Sequence, residues 1–525
     1  MHGSHNKKEI EQKLADFLAL EADALKKTTK KKIVHLTKLA MSGLYPILYS
    51  PVIENFYLNL AEKTKILSDD FKKIEFKKNS ILHVMTEASQ SGGHTRIVER
   101  WLKSANRNEK NSVVILGQRS CCKIPEYLKN QASTIGQFYQ YDVNQSVETR
   151  ANKLRELAAT YETIVLHHHP EDPIPLMAFG VKEFKRPVVC FNHSGHTFWI
   201  GCKAIDFCID IEQNQNWRTV YKRGLTNTKV LDMPVDKFYP EPTNRKKSKE
   251  SLGFLDHHKI LVSAASSYKY QITENLNFIK MIDEVLSKSD EIIFIGVGIS
   301  QFDQNWHQLQ QKYSKRVILP GMIPFSELEN YFAIADLYLD SFPYNSWLST
   351  IDAVNIGHCF CLTLATSMGT LPFLHGTDAV QNSVQNFTEA ILFYLDNKNK
   401  RQKAAKHLNF LLKEKCSLEI FQKSVSNIIS NTHKKLEIKS DEPSERTTIT
   451  DFDIYNYSFR KAKIKKKSFF KIIEIIKDLS AYDRNMELKF FGCSIAKVTR
   501  THRWKFLFSL FSIPFLKLGD RYKNV

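Results

Sequence analysis

The chain has 525 residues, 42% of them apolar, which allows more than one core because single cores stop growing near ~250–300 residues. A formal net charge of +19 and a pI near 9.3 point to anionic ligands or surfaces. Nine cysteines, none at metal-ligand spacing, exclude a zinc knuckle and a disulfide framework, and the opening MHGSHNKKEIEQKLADF has no apolar signal core, so a cytoplasmic location is expected.

Residues 1–78 read as helical, with Phe17, Leu20, Leu25, Val34, Leu39, Leu44, Ile53, Phe56 and Leu60 available for packing. Pro46 and Pro51 interrupt the pattern, and an N-terminal packing extension is expected. From residue 79 to 235, apolar strands (Ile81–Met85, Ser112–Gly117, Thr163–Leu166, Pro187–Phe191, Ala204–Ile211) alternate with helices such as Asn152–Tyr161. That alternation implies a parallel sheet and a Rossmann-like half.

Three strand ends of this half carry polar residues. After the first, Gly92 and Gly93 let backbone approach a ligand, and His94 is suited to proton transfer near neutrality. Arg96 and Arg100, on the following helix, are expected at the surface, with a cleft-facing position for one of them as the alternative. The next strand ends in His167, His168 and His169. Consecutive strand residues point to opposite faces, so one shared metal ion is disfavoured against a substrate-facing or packing role. Glu171 and Asp172 are the nearest carboxylates, and His193 and His196 mark a third strand end. The acceptor side therefore offers several bases, His94, His168, His193 and Glu171, among which the residues do not select.

Prolines and a cationic run mark 236–257 as an interdomain linker. A second Rossmann-like half, 258–438, has strands near 260, 292, 317, 337 and 360. The strand Lys259–Ser263 feeds SSYKYQ, with Lys269 at its carboxyl end, and a helix is expected from Thr273. The strand Leu337–Leu339 ends in Asp340, and its loop leads to a helix opening through Ser349, Thr350 and Asp352. Ligands of open parallel sheets collect at such carboxyl ends, and the first N–H groups of a helix suit an anion. Lys269 fits a diphosphate as a point charge and Asp352 fits ribose hydroxyls. An ordinary strand–helix unit with a helix-terminal Asp is the plainer alternative.

SYKYQ, ILPGMIPFSELENYFAIADLYLDSFPYN and STID together resemble the C-terminal half of the O-GlcNAc transferases and of the bacterial cytoplasmic N-glycosyltransferases that modify adhesins. The resemblance covers residues 80–430 and is best over 255–360. It implies the GT-B architecture: α/β, two Rossmann-like halves with the active site between them. It also implies a UDP-linked sugar donor, an inverting outcome, a polypeptide acceptor, and neither cofactor nor metal. Carried over by position, Lys269 contacts the diphosphate, Asn345, Ser349 and Thr350 line the phosphate loop, and Asp352 holds the ribose. Trp347 and Leu348 stand where the family has polar residues, and Ser349 stands where the bacterial members have Gly. A large retaining family of the same architecture would need an acid at the position of Tyr344.

The last segment, 439–525, opens with a polar break and becomes a basic amphipathic tail. From Lys461 to Val525 there are 16 Lys and Arg against 5 Asp and Glu. Phe469, Ile472, Ile473, Ile476 and Leu479 form one helical stripe, and Trp504 to Leu516 form an apolar run too short and too interrupted by Pro514 to span a bilayer. The tail is expected on an anionic membrane surface, peripheral to the inner face, or packed back on the first half. It favours a lipid-linked glycan as acceptor, as in lipopolysaccharide or capsule assembly. A sugar-nucleotide epimerase and a non-catalytic binder of anionic surfaces or nucleic acid are the other functions that fit. Specific nucleic-acid binding is disfavoured, because aromatics and lysines interleave in the tail and not in the halves.

Overall fold

The computed structural model describes residues 2–67, 71–90, 93–106, 108–118, 123–167, 169–273, 275–300, 303–433, 443–465, 487–490 and 493–497. Gly92, His168 and the two apolar stripes of the tail lie outside the described residues.

Two parallel sheets organise the chain. The first contains β1 (Lys77–Met85), β2 (Lys110–Ile115), β3 (Phe138–Gln140), β4 (Tyr161–His167), β5 (Val188–Phe191), β6 (Phe207–Asp210) and β7 (Thr228–Val230), in the order β3-β2-β1-β4-β5-β6-β7. The second contains β8 (Lys259–Ala264), β9 (Ile292–Val297), β10 (Val317–Gly321), β11 (Leu337–Leu339), β12 (Phe360–Leu364) and β13 (Val380–Gln381), in the order β10-β9-β8-β11-β12-β13. Strand order reverses beside β1 and beside β8, which opens a crevice at the carboxyl ends of the strands in each half. The central strands are buried on both faces, so they read as apolar runs; β9 is buried throughout. Beneath it Trp306 stacks on Phe294, with ring centroids 5.5 Å apart. Truncating such a buried indole costs ~3–5 kcal/mol.

The extension forms α1 (His2–Lys26), α2 (Lys30–Met41) and α3 (Pro51–Thr64). Pro51 opens α3 rather than breaking a helix, because Ser50 caps that end and proline lacks only an N–H that has no partner there. Phe17, Ile33, Leu36 and Ile53 pack into the same core as Phe179 and Phe184, whereas Leu20 and Leu25 stay exposed. Glu54 is fully buried and accepts N–H groups of Gly201, Cys202 and Lys203; burial pushes its carboxyl up to about 7.

The first half joins the second through α4 (Gly93–Ser104). Arg100, expected at the surface, is buried and donates to Pro234 O at 2.8 Å. Lys103 pairs with Asp236 at 2.9 Å. The stretch expected as a linker contains α5 (Arg245–Ser251), which belongs to the second half: Lys249 pairs with Asp336 at 3.0 Å and Arg245 donates to Ala335 O at 2.6 Å. The second half continues through α6 (Phe325–Ile334), α7 (Trp347–Gly357) and α8 (Leu418–Asn431). Ser104 Oγ donates to Gln422 of α8 at 2.9 Å. Finally α9 (Asp451–Lys465) returns to the first half, where Asp453 and Lys222 form a buried pair at 3.2 Å. Arg446, just before it, pairs with Glu21 of α1. The packed body thus extends past residue 439, and the tail reading applies only beyond α9. Within the tail, Glu487–Phe490 and Cys493–Lys497 pair antiparallel.

Candidate functional site

On the second half, the loops after β8 and β11 form one unit. Lys269 lies on a short 3-10 turn, Ser267–Tyr270, and its Nζ donates to Asn345 O at 2.9 Å. The expected helix at Thr273 begins only at Phe278, where the Asn277 side chain caps it. Asp340 is buried and accepts from Ser346 N at 2.7 Å, Asn345 Nδ2 at 3.0 Å and Thr363 Oγ1 at 2.9 Å. Burial pushes its carboxyl up, and these hydrogen bonds pull it back. Burial also pushes the Lys269 ammonium down, against the attraction of Asp340. Asp340 and the Asn345 side chain therefore staple the loop, and the cation is what this unit offers to a ligand.

The loop delivers the N-terminus of α7. Its N-cap residue Ser346 turns its hydroxyl to Ala264 O and to Ser349 Oγ, and no side chain caps the helix. The buried Thr350 hydroxyl has no hydrogen-bond partner among the described residues. Uncapped amides, an unsatisfied hydroxyl and a nearby ammonium are the donor set of an anion site. Ser349 sits half-buried on the same turn. One turn on, Asp352 is buried, and burial pushes its carboxyl up while Arg96 and Arg100 pull it back.

Arg96 belongs to the other half. Its Nη1 lies 3.6 Å from Asp352 Oδ2, and its guanidinium sits 5.6 Å from the ring centre of Phe325 on α6. A Cβ on Gly93 would lie 3.3 Å from Leu348 of α7, so the two helix N-termini meet closely. Sequence reasoning favoured the surface for Arg96 while leaving room for Arg96 or Arg100 to face the cleft, and it passed over Phe325.

Histidines line the facing edge of the first half. The His94 ring is 4.2 Å from the His193 ring and 5.8 Å from that of His169. His167 Nδ1 is 2.9 Å from His193 Nε2, and His167 Nε2 is 3.1 Å from His83 Nδ1. His83 is a further member that sequence reasoning missed; a lone histidine in the apolar run of β1 was its only signal. Burial pushes it down to about 3, with Asn111 opposing. His196 stands apart, edge-on to Tyr344 with centroids 6.3 Å apart. Burial, then Arg460, Arg218, Arg223 and Lys269, hold it near 3. Glu171 is exposed, and its neighbour Asp172 is the buried acid, accepting from Thr86 Oγ1 at 2.7 Å. Among the described residues, no three His, Cys, Asp or Glu side chains are placed to hold a metal ion, and no helix is long and apolar enough to cross a membrane.

No protein-family model and no curated protein matches the sequence. Solved structures match the fold. HepE of Anabaena, solved in complex with UDP, aligns with a TM-score of 0.53 and 14% identity over 67% of this chain and 99% of that one. A glycosyltransferase of Rickettsia africae aligns with a TM-score of 0.52 and 14% identity over 68% and 98%. The chain has the GT-B fold. The expected pair of Rossmann-like halves, with a helical extension before them, is what the two sheets display. The O-GlcNAc transferase of Thermobaculum terrenum covers more of the chain, 87%, at a TM-score of only 0.47 and 12% identity. Within the GT-B frame, α7 and Lys269 lie on the second half and the histidines on the first, and the two meet where Arg96 reaches Asp352 and Gly93 approaches Leu348.

Proposed function

We propose that the protein is a glycosyltransferase that moves a sugar from a UDP-linked donor to an acceptor bound against the first half. The observation that carries this reading is the uncapped N-terminus of α7, with Lys269 and the unsatisfied Thr350 hydroxyl beside it, facing a histidine edge. The crystallised complexes of HepE with UDP and with UDP-glucose support the choice of donor. Lys269 and the α7 amides hold the diphosphate, and Asp352 takes the ribose hydroxyls once Arg96 gives way. His193, in ring contact with His94, accepts the proton from the acceptor's O–H. The freed oxygen forms a bond to the anomeric carbon as the bond from that carbon to the phosphate oxygen breaks. UDP leaves, and the centre inverts. Fixed positive charge offsets the charge that develops on the diphosphate, so no divalent ion is required. Excess EDTA should leave turnover unchanged.

The acceptor we favour is a lipid-linked glycan at an anionic membrane surface, because the 16 cations beyond residue 460 exceed the 5 acids there. Each basic side chain near anionic lipid contributes ~1 kcal/mol. Calorimetric titration with UDP tests the donor, and flotation with anionic liposomes at low and high salt tests the surface. Saturable UDP binding and salt-sensitive flotation, lost on truncation after Lys465, are expected. Turnover of a peptide acceptor without flotation would transfer the reading to a polypeptide.

A further inference from the structure

The first sheet carries a polar diagonal through its interior. Asn111 on β2 is paired across with Ile81, and His83 stands two residues further along β1 on the same face. His83 is paired with Val165, and His167 stands two residues further along β4. Leu166 is paired with Cys190, which sets His167 level with Phe191, and His193 follows two residues beyond. Each step crosses one strand and climbs two residues toward the cleft. The diagonal therefore leads from a buried amide near the sheet's edge to the imidazole at the cleft.

We propose that Asn111, His83 and His167 form a relay that holds His193 as its Nε2–H tautomer and so presents Nδ1 as the proton-accepting nitrogen. The direction follows from the buried end. Asn111 Nδ2 lies 3.4 Å from Glu109 Oε2, which sets the amide with its oxygen facing away from that carboxylate. Glu109 is held in turn by Asn106 Nδ2 at 3.2 Å and Gln422 Nε2 at 2.7 Å. Asn111 Oδ1 and His83 Nε2 are both buried atoms without a partner at bonding geometry among the described residues. In the relay these two atoms pair with each other, as the pull of the Asn111 side chain on His83 implies; an oxygen with no proton can only accept, so His83 then carries its proton on Nε2 and its lone pair on Nδ1. His83 Nδ1 then accepts from His167 Nε2–H across 3.1 Å. His167 Nδ1 accepts from His193 Nε2–H across 2.9 Å. Every neutral ring in the chain donates once and accepts once, and the last lone pair falls on His193 Nδ1. Asn111, His83 and His167 are positioning residues: none needs to touch substrate. The catalytic meaning of the relay rests on His193 being the base; its existence does not.

The test uses the full chain labelled with 15N at the histidine rings. Long-range proton–nitrogen spectra report which ring nitrogen is protonated, and His83→Gln, His167→Gln and His193→Gln assign the signals. The relay predicts the Nε2–H form for all three in the wild type. Asn111→Leu, which removes the acceptor, should turn His193 into a mixture of tautomers three strands away, and Asn111→Asp, which keeps an acceptor oxygen, should restore the single form. Turnover should fall about tenfold in Asn111→Leu, as when an orienting partner of a histidine is lost, with UDP affinity unchanged. An Nδ1–H form at His193 would overturn the proposal and reverse the chain, with the donor to His83 being Trp101 Nε1–H, a buried group without a partner among the described residues on a ring edge-on to His83 at 5.2 Å. A His193 spectrum indifferent to Asn111→Leu would overturn it as well. The wild-type spectrum decides even where a variant fails to fold. A protein with the relay intact that does not bind UDP would overturn the proposed function alone.

Discussion

The two halves share a doubly wound sheet, yet the polar residues at their carboxyl edges are arranged in opposite ways. In the second half, the buried acid Asp340 is tied by two hydrogen bonds to its own loop and by a third to Thr363 of β12, and the ammonium of Lys269 is fixed to the same loop. That edge is rigid and charged. In the first half, the edge consists of imidazoles in ring contact and hydrogen-bonded to one another through the sheet interior. Burial keeps His83 of that edge uncharged, and imidazole is the side chain suited to take up a proton near neutrality. A transferase needs both: fixed charge where a diphosphate leaves, and a titratable group where an acceptor loses a proton.

The sharpest way to break this division is to remove the histidine at the cleft. His193→Gln should lower turnover ~10²–10⁴-fold, the usual contribution of a general base, while UDP affinity stays within error. Steady-state kinetics paired with UDP calorimetry check this. A loss of affinity with turnover preserved would exchange the roles of the halves. Lys269→Ala comes next. On the proposed function it removes charge needed most as the diphosphate departs, and should cost ~3–4 kcal/mol in the transition state. Single-turnover rates with UDP-glucose would measure it; wild-type rates in a folded variant would exclude Lys269 from the site.

Acid titration probes the neutral character of the first half. His83 is held near 3 when folded against an ordinary value of 6.5. The unfolded chain therefore binds a proton below pH 6.5 that the folded chain refuses, and stability is lost as pH falls from there to about 3. Glu54 and Glu212, raised to about 7, act in the other sense: their contribution is lost as pH rises from about 4.5 to 7. The wild-type slope alone is thus a mixture, and the comparison with His83→Gln isolates the histidine. Relative to that variant, the wild type should lose ~1.4 kcal/mol per pH unit below 6.5. Urea midpoints of both proteins at pH 7, 6 and 5 would show it. A constant difference would mean that His83 takes up its proton in the fold as readily as in the unfolded chain.

The smallest effect sharpens the contact between the halves. Arg96 occupies the carboxylate proposed to take the ribose, so Arg96→Ala should tighten UDP binding by ~0.5–1 kcal/mol, the scale of a partly exposed ion pair. Weaker binding would show that Arg96 moves onto the nucleotide instead.

Much of this arrangement was legible along the chain. Buried parallel strands are apolar runs, so β1, β2, β4, β5, β8, β9 and β12 announce themselves. β3, β7 and β13 have three residues or fewer and carry no period to read. Lys269 and the opening of α7 were legible because a cation or helix start after an apolar strand has a physical meaning by itself. The Arg96–Asp352 pair was not, because its partners are separated by most of two domains. Nor was the relay: His83 and Asn111 gain their roles from strand register, a property of pairing rather than of either strand. The stretch 236–257 read as a linker because Pro and Lys dominate it, while its anchoring depends on Asp336 and the carbonyls at the ends of α6 and α7.

The central claim is that the second half holds the nucleotide and the first half does not. Titrating wild type, Asp352→Ala and His94→Ala with UDP by calorimetry tests it most directly. The wild type should bind saturably, Asp352→Ala should lose ~1.5–3 kcal/mol as hydrogen bonds to a charged group disappear, and His94→Ala should keep its affinity. No heat from the wild type, or equal affinity in Asp352→Ala, would contradict it.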